Sequence, residues 1–301
     1  MGPLLFLLFF NDLPSFINED IDCYADDSTL GATAENVVEI GRKLTSDCSN
    51  LSNWMVANSF KLNAGKTHFL TMGTKRKLQR LDGQLEVVMD GVTLKESVEK
   101  RELLLGIIIQ NDLDWSAQVE ALIKKLKKRL GGLDMLKYIM DSSSKKTIVE
   151  GVFNSVLCYC LPLFGGLDNS EVHSLQVQQN KAAQIVLRLP PRHNREYMFN
   201  QLGWLTVNQL IVYHTSITVY RIRQNKEPEY LADILGRTSR LGENIIIVEN
   251  IKLGLARKSF TNRGAVQWNK LPASLRSEPK LGPFKKSLKK WILENIPRFL
   301  T

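Results

Sequence analysis

The hydrophobic rhythm of the chain changes at Trp115, and that change limits the possible folds more than any single motif does. Before it, short apolar runs are broken every few residues by turn formers, the pattern of strands. "IDCYA" (21–25) reads as a strand with "DDST" as its turn, 61–72 as a second strand, and "RELLLGIII" (101–109) as another. "LEVVMDGVTL" (85–94) reads as a hairpin, with Asp90-Gly91 supplying the positive φ angles of a tight turn. Two helices interrupt them. Residues 3–13 are apolar without alternation and end at Asn11-Asp12-Leu13-Pro14, which predicts a short buried helix. Over 35–58, Val37, Ile40, Leu44, Cys48, Leu51 and Met55 recur every three or four residues, an amphipathic helix packed on something flat.

After Trp115 the period becomes helical throughout. Val119, Leu122, Leu126, Leu130 and Leu133 form one stripe, opposite Lys124, Lys125, Lys127, Lys128 and Arg129. Further helices are expected near 143–160, 171–188 and 206–224. Pro190-Pro191 and "NKEPE" break the run, and "LPASLRSEPKLGP" reads as a loop before a short final helix. The expectation is an α+β chain: a small mixed unit (1–115), a helical unit (116–225) and a basic tail (226–301).

A chain of 301 residues, 44% hydrophobic, is long enough for two domains with their own cores and is not a disordered protein. Its formal charge of +9 is uneven: residues 251–301 hold 12 Lys or Arg against Glu278 and Glu294 alone, a net of +10. Such a tail suggests a polyanion partner, the alternative being a merely solvated basic face. Cys23, Cys48, Cys158 and Cys160 contain no C-x-x-C pair, so neither a zinc site nor a disulfide scaffold is expected, and they read as buried free thiols. "MGPLLFLLFF" is too short to span a bilayer, lacks the flanks of a secretory signal, and has Phe6 where myristoylation needs Ser or Thr. The expected chain is intracellular, in nucleus or cytoplasm, with no membrane partner.

Asp26 and Asp27 stand side by side after the first strand. Along a strand, neighbours point to opposite faces, but at a hairpin turn both can approach one cation. Two carboxylates about 3–4 Å apart repel by roughly a kcal/mol or more, and a hard divalent ion cancels that repulsion. Metal-assisted phosphoryl transfer fits the pair. As a bare dipeptide it reads first as a cap for a helix starting near Ala34 or as part of a turn, ahead of a metal site.

The surrounding segments extend this. "GPLLFLLFFNDLP" followed by "YADDSTL" resembles the palm of reverse transcriptases from non-long-terminal-repeat retrotransposons, the jockey-like group especially. "LSNWMVANSFKLNAGKT" is similar to that family's segment ending in an Asn-x-x-Lys-Thr strand, and "LLLGIIIQNDLDW" to the Leu-Gly strand and Leu-x-Trp exit before its thumb. "LQVQQNKAAQIVL", "EPEYLADIL" and "FTNRGAVQWNKLP" with "FKKSLKKWI" resemble its helical and C-terminal parts, in consistent order. The resemblance implies a partial polymerase palm, a helical thumb and a C-terminal domain.

It also implies roles. Asp26 would ligate both catalytic Mg²⁺ (or Mn²⁺) ions, with Asp27 a secondary metal ligand or support. Tyr24 would lie beside the primer terminus or nucleotide, and Lys66 would protonate or hold the leaving pyrophosphate. Leu105 and Gly106 would grip the primer. Lys124, Lys125, Lys127, Lys128 and Arg129 would track the backbone of an RNA template–DNA primer duplex, although "KKLKKR" also reads as a nuclear-import signal.

Departures are equally specific. The family takes another metal-binding aspartate from a separate upstream strand, and its Pro-Gln-Gly loop precedes the Gly-Pro-Leu-Leu-Phe helix, whereas here Met1 stands directly at Gly2-Pro3. Asp12, Glu19, Asp20 and Asp22, the acids ahead of Cys23, offer no separate strand. The expectation is therefore weak metal binding, no useful polymerization from these residues alone, and an apolar surface that a fingers segment or another protein would cover. Gln118 stands where the family often has histidine, and His173, His193 and His214 lack cysteine partners at zinc-knuckle spacing. A non-catalytic nucleic-acid-binding protein and a transposon relic are the competing readings; a metal-dependent nuclease is formally possible, but nothing supplies its base.

Overall fold

The structure, a computed structural model, describes residues 1–81, 84–135, 138–240, 244–249, 251–252 and 254–298. They fall into two compact units, Met1–Asp114 and Trp115–Thr301. The fold class is α+β, as the sequence indicates.

In the first unit, helix α1 (Gly2–Phe10) leads through a 3-10 turn (Leu13–Phe16) into the hairpin β1 (Asp20–Tyr24) and β2 (Asp27–Gly31). Helix α2 (Val37–Ala57) follows, then β3 (His68–Phe69), α3 (Lys75–Leu81), β4 (Val88–Met89), β5 (Val92–Thr93), β6 (Lys95–Glu96), β7 (Arg101–Leu104) and β8 (Ile107–Gln110). The strands form separate two-stranded pieces: antiparallel β1–β2, β4–β5 and β7–β8, and parallel β3–β6. Two-stranded pieces are marginal alone, so a helix must hold them. That helix is α2, started by Asn36, whose side chain accepts from the Glu39 N–H at 2.8 Å. Its apolar face buries Cys48, Leu51, Trp54 and Met55. Phe10, Leu13 and half-buried Phe60 pack around Trp54, the Phe10 ring meeting it edge-on at 5.3 Å. Val87, Met89 and Leu94, from the segment carrying β4 and β5, pack around Cys48.

A polar clamp completes the contact. Asp47, fully buried, accepts from the Asn18 N–H at 3.0 Å, the Asn18 side-chain amide at 2.8 Å and the Glu19 N–H at 2.8 Å, fixing the entry to β1. Burial pushes its carboxyl up, but the donors at Asn18, Glu19 and Asn50 outweigh it and hold the group below its ordinary value. A carboxyl depressed on folding adds stability above its unfolded pKa and loses it as pH falls through the folded one. Asp47→Ala orphans these donors and is expected to destabilize the first unit by about 2–4 kcal/mol at neutral pH. Urea melts checked at neutral pH and near pH 3 are expected to show the variant's deficit shrinking in acid.

Several expectations change. Helix α1 forms, but Phe10 alone is buried on it: Leu4, Leu5, Leu7, Leu8 and Phe9 are exposed, because the described residues pack against one edge only. The strand expected over 61–72 reduces to His68–Phe69. The Asn63 carbonyl takes the Lys66 N–H at 2.9 Å and the Thr67 hydroxyl at 3.2 Å, so a local turn replaces the ladder. "RELLLGIII" is a hairpin, not one strand: Leu104 pairs with Ile107, leaving Leu105 and Gly106 as a two-residue turn at φ 47° and 84°. Asp90 and Gly91 turn as expected, at φ 51° and 75°.

In the second unit, α4 (Ser116–Asp134) buries Val119, Leu122, Leu126, Leu130 and Leu133. Helix α5 (Ser142–Val149) runs through a π turn (Glu150–Asn154) into α6 (Ser155–Cys158); α7 (Leu161–Phe164), α8 (Asn169–Leu187), α9 (Arg195–Leu202) and α10 (Val207–Asn225) follow. Asp168 with Glu171 and Thr206 with Gln209 form capping boxes that start α8 and α10. The chain ends in α11 (Glu229–Gly236), α12 (Gly254–Arg257), α13 (Phe260–Asn269), α14 (Ala273–Arg276) and α15 (Leu281–Asn295). The loop expected before the last helix contains α14, and α15 is 15 residues long rather than short. Val219 and Tyr220 of α10 share one core with Trp268 of α13 and Phe284, Leu288 and Ile292 of α15, so residues on both sides of position 226 build it. Cys48 is buried, but Cys23 is exposed and Cys158 and Cys160 are intermediate, correcting the expectation of four buried thiols.

Candidate functional site

The carboxylate pair sits where strand pairing places it. Tyr24 opposes Asp27, so Ala25 and Asp26 are the two loop residues of the β1–β2 hairpin, and Ala25 takes the left-handed conformation (φ 53°). The turn is therefore Ala25-Asp26, with Asp27 already in β2, and not the whole of "DDST". Asp26 and Asp27 are both exposed, and their side chains make no hydrogen bond or ion pair among the described residues. Tyr24 is 67% exposed beside them, an aromatic face open to stack rather than a core tyrosine.

A hard divalent ion wants six or more oxygens, and Mg²⁺ accepts one or two carboxylates only with waters and phosphates completing the shell. Among the described residues no group of three or more His, Cys, Asp or Glu side chains is placed to hold a metal. The pair thus has the right donor chemistry for Mg²⁺ or Mn²⁺ but too few ligands for two ions, and no step of a reaction follows from these residues. Lys66 is exposed at the end of a 3-10 turn (Ala64–Lys66), not on a strand, and makes no ion pair with Asp26 or Asp27 among the described residues. Leu105 and Gly106 form the exposed tip of the β7–β8 hairpin.

The basic residues of α4 are positioned by its apolar stripe. With Leu122, Leu126 and Leu130 fixed in the core, Lys124, Lys125, Lys127, Lys128 and Arg129 all face solvent. Five cations within one and a half turns make a local positive field suited to phosphates.

Other motif residues turn out to do structural work. Gln176 receives the Val207 N–H at 2.8 Å and donates to Asn180 at 2.9 Å, while Gln179 donates to the Leu205 carbonyl at 2.9 Å, docking α8 on the start of α10. Arg263 donates to the Pro162 carbonyl at 2.7 Å and the Lys258 carbonyl at 2.9 Å; burial lowers its pKa to about 10. Asn269 pairs with both the N–H and the carbonyl of Ile246 at 2.8 Å, as a strand would. Trp268 donates to the Asn244 carbonyl at 2.9 Å beneath the Arg223 guanidinium. No spacing in the sequence predicted these roles, because the partners that join separate elements, Val207, Leu205, Pro162, Ile246 and Asn244, lie 23 to 101 residues away.

No helix among the described residues is long and apolar enough to cross a membrane. No family model matches the chain, and no solved structure matches it. Over 236 residues, 75% of its length, the chain is 25% identical to a probable RNA-directed DNA polymerase from transposon BS of Drosophila melanogaster. It spans about a quarter, 26%, of that relative. Together with the Tyr-Ala-Asp-Asp hairpin, this likeness supports a reverse-transcriptase-like fragment of a transposon polymerase.

Proposed function

We propose that this chain is the palm-to-thumb portion of a non-long-terminal-repeat retrotransposon reverse transcriptase of the jockey-like group, and that on its own it holds nucleic acid without polymerizing it. The single observation that carries this is the β1–β2 hairpin, which exposes Asp26 in its two-residue turn and Asp27 at the start of β2, next to an exposed Tyr24. In the proposed parent enzyme, Asp26 would bind the catalytic Mg²⁺ or Mn²⁺ ions and Asp27 would support it. Lys66 would act on the leaving pyrophosphate, and Tyr24, Leu105 and Gly106 would border the primer and nucleotide. That no third His, Cys, Asp or Glu among the described residues joins Asp26 and Asp27 supports the reading of weak metal binding. A misplacement of about 1 Å alone costs on the order of 10²-fold.

Holding a template–primer duplex falls to α4, whose five cations are exposed and on one helix. The exposed apolar face of α1 fits a surface that further polymerase structure or a protein partner covers. The test is duplex binding by fluorescence anisotropy. The expected result is affinity that falls steeply with salt and is unchanged in Asp26→Asn and Asp27→Asn. Loss of binding in both carboxylate variants would mean the hairpin, not the basic helix, holds the duplex.

A further inference from the structure

Helix α15 turns its apolar face into the second unit: Phe284, Leu288 and Ile292 are fully buried, and half-buried Leu281, Trp291 and Leu293 pack against the same core. What remains outside is basic. Lys286, Lys289 and Lys290 are exposed and Lys285 is half-buried; Lys285/Lys289 and Lys286/Lys290 are each one i,i+4 step apart, about 6 Å along the axis. Glu294 is the one acid on α15, 4.0 Å from Lys290 with both side chains largely exposed, a contact of little strength. Lys285, Lys286 and Lys289 make no ion pair among the described residues. The neighbouring α10 adds to the same sign. His214 lies near Lys285 and Arg221; burial pushes its imidazole below the ordinary value and those two cations push it further. Arg221 itself is exposed.

Gathering like charges without counter-charges opposes folding, so an outside anion is the natural complement. We infer that the lysine ladder of α15 is a second nucleic-acid backbone site, separate from α4. A membrane surface is the less suitable partner, because an interfacial helix needs a free apolar face and this one packs its own against the core. The two basic surfaces are also distinct in the fold: α4 packs on α8, α8 on α10, and α10 on α15. The inference does not depend on the carboxylate pair or on the reading of α4.

The test uses the full chain, a fluorescein-labelled short DNA duplex of random sequence, and phosphatidylserine vesicles. One variant carries Lys285→Gln, Lys286→Gln, Lys289→Gln and Lys290→Gln; a second carries the same four changes to Arg; a third neutralizes the five cations of α4. The expected result is that the α4-neutralized protein keeps a weaker, salt-sensitive duplex affinity. Adding the four Gln changes to it abolishes that affinity, while the four Arg changes do not. The slope of log affinity against log salt is expected to lose about 3 to 4 with the Gln set. Loss in the Gln variant with α4 intact, but none on neutralizing α4, would leave this site standing and remove the α4 reading. Unchanged duplex affinity and slope in the Gln variant, or vesicle binding through these lysines without duplex binding, would overturn it.

Discussion

Neutralizing Lys124, Lys125, Lys127, Lys128 and Arg129 together with Gln is expected to weaken duplex binding by about 10²–10³-fold near physiological salt, with little change in stability. The magnitude follows from counterion release. Each neutralized phosphate contributes about 0.9 to the slope of log affinity against log salt, so five contacts set a slope change of up to about 4 to 5. Stability is spared because all five side chains face solvent and the buried stripe of α4 is untouched. Gln also propagates a helix nearly as well as Lys. Anisotropy titrations at several salt concentrations check the slope, and a thermal melt checks the fold. A variant that binds as the wild type does would remove α4 from the interface.

The second large effect is expected at Gly165. A Cβ there would fall 2.8 Å from Ile211 Cγ2, 2.9 Å from an Arg263 terminal nitrogen and 3.1 Å from the Leu161 carbonyl. None of the three can retreat easily. Ile211 is buried on α10, the Leu161 oxygen is backbone, and Arg263 is pinned by its bonds to Pro162 and Lys258. Gly165→Ala is therefore expected to cost about 2–3 kcal/mol from overpacking. In a unit of this size that lowers the melting temperature by roughly 5–10 °C. Gly132 on α4 is the contrast, since nothing lies within 4 Å of its built Cβ. There Ala is expected to stabilize by about 0.5–1 kcal/mol through helix propensity. Calorimetry on the two variants checks both signs.

What was legible in the sequence follows from how local each interaction is. The stripe Val119 to Leu133 placed α4 and its basic face correctly, because a helix reports its burial at a fixed period. Asp90-Gly91 announced its turn because φ > 0 is a property of those two residues alone. The strand over 61–72 failed for the converse reason: its apolar content suggested a ladder, but Asn63 captured the local donors first. Asp47 was invisible, lying beside the apolar positions of α2 with partners 28 and 29 residues away. The same distance hid Arg263 and Asn269, whose motif was readable only as a resemblance. At the candidate site, the sequence showed the two carboxylates as neighbours, and the hairpin register then separated them, Asp26 in the two-residue turn and Asp27 at the start of β2. Lys66 was expected on a strand feeding the same centre and instead ends a separate exposed turn.

The proposed function, a nucleic-acid-holding piece of a polymerase with an incomplete metal site, stands or falls on primer extension. The assay uses poly(rA)–oligo(dT) with Mg²⁺ or Mn²⁺, wild type against Asp26→Asn. No extension is expected from either protein, while both still bind the duplex in a salt-sensitive manner. Extension by the wild type that Asp26→Asn abolishes would overturn the proposal, and would mean that another residue of this chain supplies the missing ligand.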